Sequence, residues 1–281
     1  MPPLEFVPAD RYTLDQLSRL LTRAYTGYTI PIDVDAKGLE AMIAACDVNL
    51  AGSRVGVQGG EPVAIALLGV RERRGWIGGM GVAPEMRGER VGLAVTQAIL
   101  KSGRRMRLKS IDLEVLTDNL PAMRIYESLG FQRRRTLDIW LRDSDATFPM
   151  PPGHDVGPVD VPACLAVFDD WHVSAPPWQR DVPVLKRMAP SLSALGTVES
   201  GRVTAYVLYR MEGRRVNVLD AAAAPGQRTQ KIEAPLRALI RARAGNPLRF
   251  VNLPQDDPAS EAMHRVGAEV ERQQHEMTLD L

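Results

Sequence analysis

The sequence predicts an α/β (α+β) chain made of two tandem copies of one fold, each a mixed sheet flanked by helices. Three observations carry that expectation. Segments with a period of two alternate with segments of helical period along both halves. Elements of the second half recur behind those of the first at nearly equal offsets, Val216 matching Ile77 and Gly267 matching Gly130. Between the halves, residues 147–158 are dense in Pro and Gly and aperiodic, which reads as a linker between domains at 1–146 and 159–281. The chain has 281 residues, more than a single domain usually holds.

The first half reads β-α-α-β-β-β-α-β-α-β. Residues 4–7 form a short strand. Thr13-Leu14-Asp15-Gln16 has the form of a capping box, and Leu14, Leu17, Leu21 and Ala24 share one face of the helix behind it. A second helix carries Leu39, Met42 and Ile43. Residues 53–57, 63–70 and 76–82 are strands, separated by Gln58-Gly59-Gly60 and the charged turn 71–75. Val91, Val95, Ala98 and Ile99 then mark a helix face. Residues 111–115 form the next strand, Asp118 or Asn119 caps a helix entered through Pro121 and ended by Gly130, and residues 137–141 close the sheet.

In the second half, strands at 203–209 and 216–221 precede a helical run at 231–243, a strand at 248–251, a helix near 258–266 and a closing strand from Ala268. The chemistry does not recur. Opposite residues 87–92 stands Gly226-Gln227-Arg228-Thr229-Gln230-Lys231, and opposite Tyr126 stands Met263, which has no proton to donate. The expectation is one active half and one degenerate half. Trp171, His172 and Trp178 read there either as core or as a regulator site.

Composition narrows the function classes. Lys+Arg 35 against Asp+Glu 34 leaves a net charge of +1, so no bulk field recruits nucleic acid or an anionic membrane. Cys46 and Cys164, one in each half, read as core fillers rather than a disulfide. The N-terminus lacks a basic and an apolar signal region, and no apolar run approaches bilayer length, so a cytoplasmic location is the default. All four histidines lie beyond residue 150. The first half is therefore expected to work without a histidine triad or metal, through tyrosine, carboxylate, backbone and water.

The most informative stretch is Val82-Ala83-Pro84-Glu85-Met86-Arg87-Gly88-Glu89-Arg90-Val91-Gly92-Leu93, which joins an apolar run to an amphipathic helix. A helix start leaves backbone N–H groups without intrahelical partners and attracts anions. The segment is followed by Ile111-Asp112-Leu113-Glu114-Val115, then Asn119, Ala122, Tyr126 and Gly130-Phe131. Together these resemble the GNAT superfamily of acetyl-CoA-dependent acyltransferases. The family's loop pattern Arg/Gln-x-x-Gly-x-Gly/Ala reads Arg87-Gly88-Glu89-Arg90-Val91-Gly92 here, with Arg90 at the middle glycine. Arg90 still offers its N–H if its φ is helical; only a positive φ would demand glycine. The duplication resembles tandem GNAT proteins, and the resemblance implies two GNAT folds with mostly antiparallel sheets.

The resemblance further implies acetyl-CoA as cosubstrate, held by Gly81, Val82, Arg87, Gly88, Glu89, Arg90, Val91, Gly92, Asn119, Ala122 and Tyr126. Backbone at Gly81 and Val82 would pair with the pantetheine arm, the 87–92 turn would hold the pyrophosphate with charge from Arg87 and Arg90, and Tyr126 would donate to the leaving sulfur. A phenol near pKa 10 is less acidic than a thiol by about 1.5 units, so hydrogen-bond donation is easier than full transfer. Asn119 would bind pantetheine or a catalytic water, or only cap its helix. The strand 76–82 holds no carboxylate, which leaves Glu114 or a water relay as general base. Tyr25 and Tyr28 would wall the acceptor pocket; Asp33 and Asp35 would greet a cationic amine, or Asp33 would cap the second helix. The basic set Arg104, Arg105, Arg107 and Lys109 reads as a solvated face. The resulting expectation is an acetyl-CoA-dependent N-acyltransferase acting on a small-molecule or peptide amine, monomeric or homodimeric, without metal. Competing readings are a non-catalytic acyl-CoA sensor or scaffold, and transfer to a hydroxyl.

Overall fold

The computed structural model describes residues 2–28, 33–144 and 156–281. Most of the expected linker, and residues 29–31 of the expected acceptor wall, lie outside the described residues. The elements run β1 (Leu4–Pro8), α1 (Leu14–Ala24), α2 (Ala36–Ala45), β2 (Arg54–Gln58), β3 (Glu61–Arg71), β4 (Arg74–Val82), α3 (Val91–Arg105), β5 (Ser110–Leu116), α4 (Leu120–Ser128) and β6 (Gln132–Arg142). They continue as β7 (Val156–Pro158), α5 (Val161–Ala166), α6 (Phe168–Trp171), α7 (Val182–Met188), β8 (Ser193–Glu199), β9 (Arg202–Glu212), β10 (Arg215–Ala223), α8 (Arg228–Ala242), β11 (Leu248–Pro254), α9 (Pro258–Arg265) and β12 (Glu269–Asp280).

Local chemistry explains the boundaries. The Thr13/Gln16 capping box opens α1 with both reciprocal bonds made. Asp35, not Asp33, caps α2, its Oδ1 accepting from the Gly38 N–H at 2.7 Å. Asn119 caps α4 through the Ala122 N–H, and Gly130 ends it at φ 94°.

Two compact units form, one of Met1–Arg134 with His275–Leu281, the other of Arg135–Gln274. In the first the strand order is β1-β2-β3-β4-β5-β12. Neighbours from β1 to β4 are antiparallel, while β4 and β5 run parallel. One core joins Val91, Val95 and Ile99 of α3 to Ile111, Leu113 and Val115 of β5, with Tyr126, Phe131 and Met277. Each such side chain contributes about 1.5–3 kcal/mol when fully buried.

The second unit has the order β6-β11-β10-β9-β8-β7, with only β10–β11 parallel. Its core packs Ile232, Leu236 and Leu239 of α8 against Val216, Val218 and Phe250.

Three expectations are corrected here. Residues 137–141 do not close the first half's sheet: β6 pairs antiparallel with β11, Trp140 opposite Phe250. The strand from Ala268 does not simply close the second half, because residues 275–281 belong to the first unit, where Met277 is fully buried and the Leu281 N–H donates to Lys109 O at 2.9 Å. That exchange brings His275 into the first unit, where burial and Arg133 depress its pKa against Glu127. Val156–Pro158, expected as linker, is a strand paired with β8.

Candidate active site

The site begins where two strands part. Parallel pairing of β4 with β5 ends at Ile77 and Leu113, whereas β4 stays paired with β3 as far as Val82. Gly78 is an extra residue at a register shift between Ile77 and Gly79. Beyond it one edge of β4 is open. The Ala83 N–H donates to Val63 O at 2.9 Å, so strand alternation turns the N–H groups of Met80 and Val82 away from β3 toward that opening. The Met80 N–H donates to the Tyr25 phenol oxygen. Gly81 lets α1 approach closely, since a Cβ there would lie 2.7 Å from that of Ala24.

The turn behind β4 carries the expected helix start. No side chain caps α3, and its first backbone bond is Ala94 N–H to Arg90 O, so the amides of Val91, Gly92 and Leu93 precede the ladder. Gly88 has φ 87° and Arg90 has φ 57°. The helical φ on which the fit of Arg90 was conditioned is therefore not met. Its left-handed backbone costs about 1–2 kcal/mol for a residue with a Cβ, and curls the Gly88-Glu89-Arg90 amides into a concavity of the kind that holds anions. Arg90 itself is exposed. A Cβ on Gly92 would meet Ile125 Cδ1 at 3.2 Å, so glycine there permits the close packing of α3 on α4.

Arg87 makes contacts that the sequence does not suggest. Its guanidinium donates to three carbonyls, Ala24 O at 3.0 Å, Thr26 O at 2.8 Å and Val82 O at 3.2 Å. It clips the end of α1 to the end of β4. Arg23 pairs with Glu85 of the same turn.

Tyr126 is nearly buried, its hydroxyl 3.8 Å from Met80 Sδ. Thr96 Oγ1 lies 3.1 Å from the same sulfur and donates to Gly92 O. Burial pushes the Tyr126 phenol well up, with Tyr25 and Tyr28 adding to the rise. Burial likewise raises Tyr25 to about 12, Tyr28 adding to it while the Met80 amide opposes. These phenols stay protonated as donors. Tyr25 packs edge-on against Tyr28 at 5.2 Å, and Asn119 Nδ2 donates to Tyr28 Oη at 2.9 Å. Asn119 thus caps α4 and fixes the expected acceptor wall at once; Ala122 supplies the capped amide.

Glu114 follows the last paired residue of β5. Trp76 Nε1 donates to Glu114 Oε2 at 2.8 Å. Asp112 on the same strand is paired with Arg74 at 3.2 Å. Sequence reasoning missed Met80 and Trp76. A methionine and a tryptophan in an apolar strand read as core, and only the bulge at Gly78 shows which face each takes. Among the described residues no cluster of three or more His, Cys, Asp or Glu side chains is placed to hold a metal ion.

The second unit keeps the frame and fills the opening. Parallel pairing of β10 with β11 ends at Val218 and Phe250, so Val218 rather than Val216 matches Ile77. Gln227 has φ 52° at the start of α8, as Arg90 has at α3. Met263 makes the same terminal bonds as Tyr126, accepting from Ala268 and Val266 where Tyr126 accepts from Phe131 and Leu129. Where β10 and β11 separate, buried Arg180 donates to Leu219 O at 3.0 Å, Asn252 O at 3.1 Å and Asp220 Oδ1 at 2.8 Å. Tyr206 donates to Asp220 Oδ2 at 2.8 Å. His172 stacks on Phe168 and places its ring nitrogens 2.8 Å from Phe168 O and 3.1 Å from Asp220 Oδ1. Burial opposes charge on both His172 and Asp220. Their mutual attraction and hydrogen bond outweigh it, raising the imidazole and lowering the carboxyl, the latter also helped by Arg180 and Tyr206.

Comparison with known proteins agrees with this geometry. Residues 14–131 match the model of the acetyltransferase (GNAT) family. No curated protein matches the sequence. A GCN5-related N-acetyltransferase from Sphaerobacter thermophilus superposes with a TM-score of 0.73 at 15% identity, covering 100% of this chain and 97% of its own. A tandem GNAT protein from the clavulanic acid biosynthesis pathway gives 0.69 at 15% identity, over 99% and 98%. A GCN5-related N-acetyltransferase from Anabaena variabilis gives 0.65 at 13%, over 98% and 72%. Residues 14–131, which match the GNAT family model, lie in the first unit, and the chain has the fold of these structural neighbours, a mixed, mostly antiparallel sheet flanked by helices.

Proposed function

We propose that this protein is a GNAT-type, acetyl-CoA-dependent N-acyltransferase whose chemistry resides in its first unit. The observation that carries the reading is the parting of β4 from β5 beyond Ile77, with the Val82 N–H turned into the gap and the uncapped start of α3 beside it. In this reading the amides of Val91, Gly92 and Leu93, with the Gly88–Arg90 concavity, hold the pyrophosphate. Arg90 supplies the mobile charge; Arg87 fixes the wall instead.

The acceptor nitrogen attacks the acetyl carbonyl carbon, and the Val82 N–H donates to the oxygen as it gains charge. Such a donor contributes about 2.7–4 kcal/mol. Glu114 takes the amine proton, directly or through water, as the N–C bond forms. The C–S bond then breaks, and Tyr126 donates a hydrogen bond to the departing thiolate. A phenol held above its ordinary pKa supports donation rather than transfer of the proton.

One active unit is supported by Arg180, whose guanidinium spans in the second unit the strand gap that stays open in the first. Met263 at the Tyr126 position supports the same assignment.

A thiol-release assay with acetyl-CoA against a panel of small amines, amino acids and peptides tests the proposal. Release dependent on an amine supports it. Calorimetric binding of acetyl-CoA with no release for any amine in the panel would instead favour a sensor, and amine-independent release with an alcohol would favour O-transfer.

A further inference from the structure

Trp76 is 2% exposed and sits beside the site without lining the gap. Its ring folds back over its own strand, so that a Cβ added at Gly78 would fall within the ring. Gly78 is also the extra residue of the β4 bulge. One glycine therefore makes the slot for the indole and ends the β4–β5 pairing. The indole N–H leaves that slot toward β5 and donates to Glu114 Oε2 at 2.8 Å. Register explains the meeting, since Trp76 pairs with Asp112, and Glu114 lies two residues further along the same face of β5.

An indole can donate but cannot accept or ionise. Bonded to one carboxylate oxygen, it restricts the rotamer of Glu114. We propose that Trp76, seated by Gly78, is a positioning residue that orients Glu114 and holds its carboxylate ready to accept the acceptor amine's proton. The inference rests on Glu114 as the general base. It assigns to Trp76 and Gly78 a role in the acid side of the pH dependence, not in coenzyme binding.

The test uses the full-length protein in three variants, each followed by kcat/KM against pH with a reactive amine and by acetyl-CoA affinity. Glu114→Gln removes the acid limb and lowers kcat/KM about 100-fold, the range of one general base. Trp76→Phe keeps an aromatic ring in the slot and deletes the indole donor. It moves the acid limb up by about half to one pH unit, as expected for loss of one charge-assisted hydrogen bond at a part-exposed carboxylate. Gly78→Ala displaces the ring and moves the limb the same way. Acetyl-CoA affinity changes less than about threefold in Trp76→Phe, which reports intact folding of the turn. If Glu114→Gln keeps the wild-type limb, Glu114 is not the base and the premise fails. If Glu114→Gln loses the limb while Trp76→Phe and Gly78→Ala keep it in place with only a lower plateau, the positioning role is overturned and the base survives.

Discussion

Arg87 Nη2 donates to the carbonyl of Thr26 at 2.8 Å across 61 residues of sequence. The arginine that opens the family's loop pattern thus ties down the chain leaving α1. Arg87→Lys keeps the charge but cannot fork to three carbonyls. We expect Arg87→Lys and Arg87→Ala to behave alike, each losing about 0.5–1.5 kcal/mol of stability with the forked hydrogen bonds and raising the acceptor's KM more than the Kd of acetyl-CoA. Full recovery by lysine in both assays would return Arg87 to the phosphate.

Arg90 carries backbone strain that glycine would relieve. Arg90→Gly should raise stability by about 1 kcal/mol, read as an upward shift of Tm. Acetyl-CoA affinity falls only by the lost surface charge, and this loss shrinks at high salt. A fall in Tm would show that the left-handed conformation at Arg90 is not strained.

Tyr126→Phe removes a donor from the sulfur and little else, because the ring packs against Phe131 at 5.7 Å. The expected outcome is a drop in kcat of about 10- to 100-fold, the worth of one hydrogen bond to a charged group, with acetyl-CoA affinity nearly unchanged. Wild-type turnover would remove Tyr126 from the mechanism.

His172 and Asp220 give the second unit a pH signature. Both nitrogens of His172 face acceptors, which favours the doubly protonated ring. A raised imidazole pKa contributes stability fully below its ordinary value of 6.5 and loses it as pH rises through the folded value. The lowered Asp220 carboxyl contributes above 3.8 and loses its part as pH falls through its own folded value. The Tm of the second-unit transition should therefore decline above about pH 6.5. His172→Gln should flatten that decline; an unchanged slope would place its source elsewhere, for instance at nearby Asp257.

Much of this was legible in the sequence, and the misses have physical causes. The αα-ββ-β-α-β-α order of the first half follows periodicity and caps, and the Arg87–Gly92 turn sits where expected. The closing strands are misassigned because a strand's own pattern carries no information on its pairing partner, which is a tertiary choice. The helices α5 to α7 went unread because each spans two turns or less, too short for a helical period to show. The φ of Arg90 could not be inferred, since the family's glycine position was already broken by a side chain. Tyr126 and Asn119 are singled out only through the resemblance. Trp76 became visible only when the bulge at Gly78 set its face.

The most direct measurement is amide hydrogen exchange of the full chain with and without acetyl-CoA. The account predicts slowed exchange at residues 80–82 and 88–93, and no change at 219–222 and 226–231, where Arg180 already bridges the strands. Protection of the second set, or none in the first, would contradict the placement of the coenzyme in the first unit's strand gap.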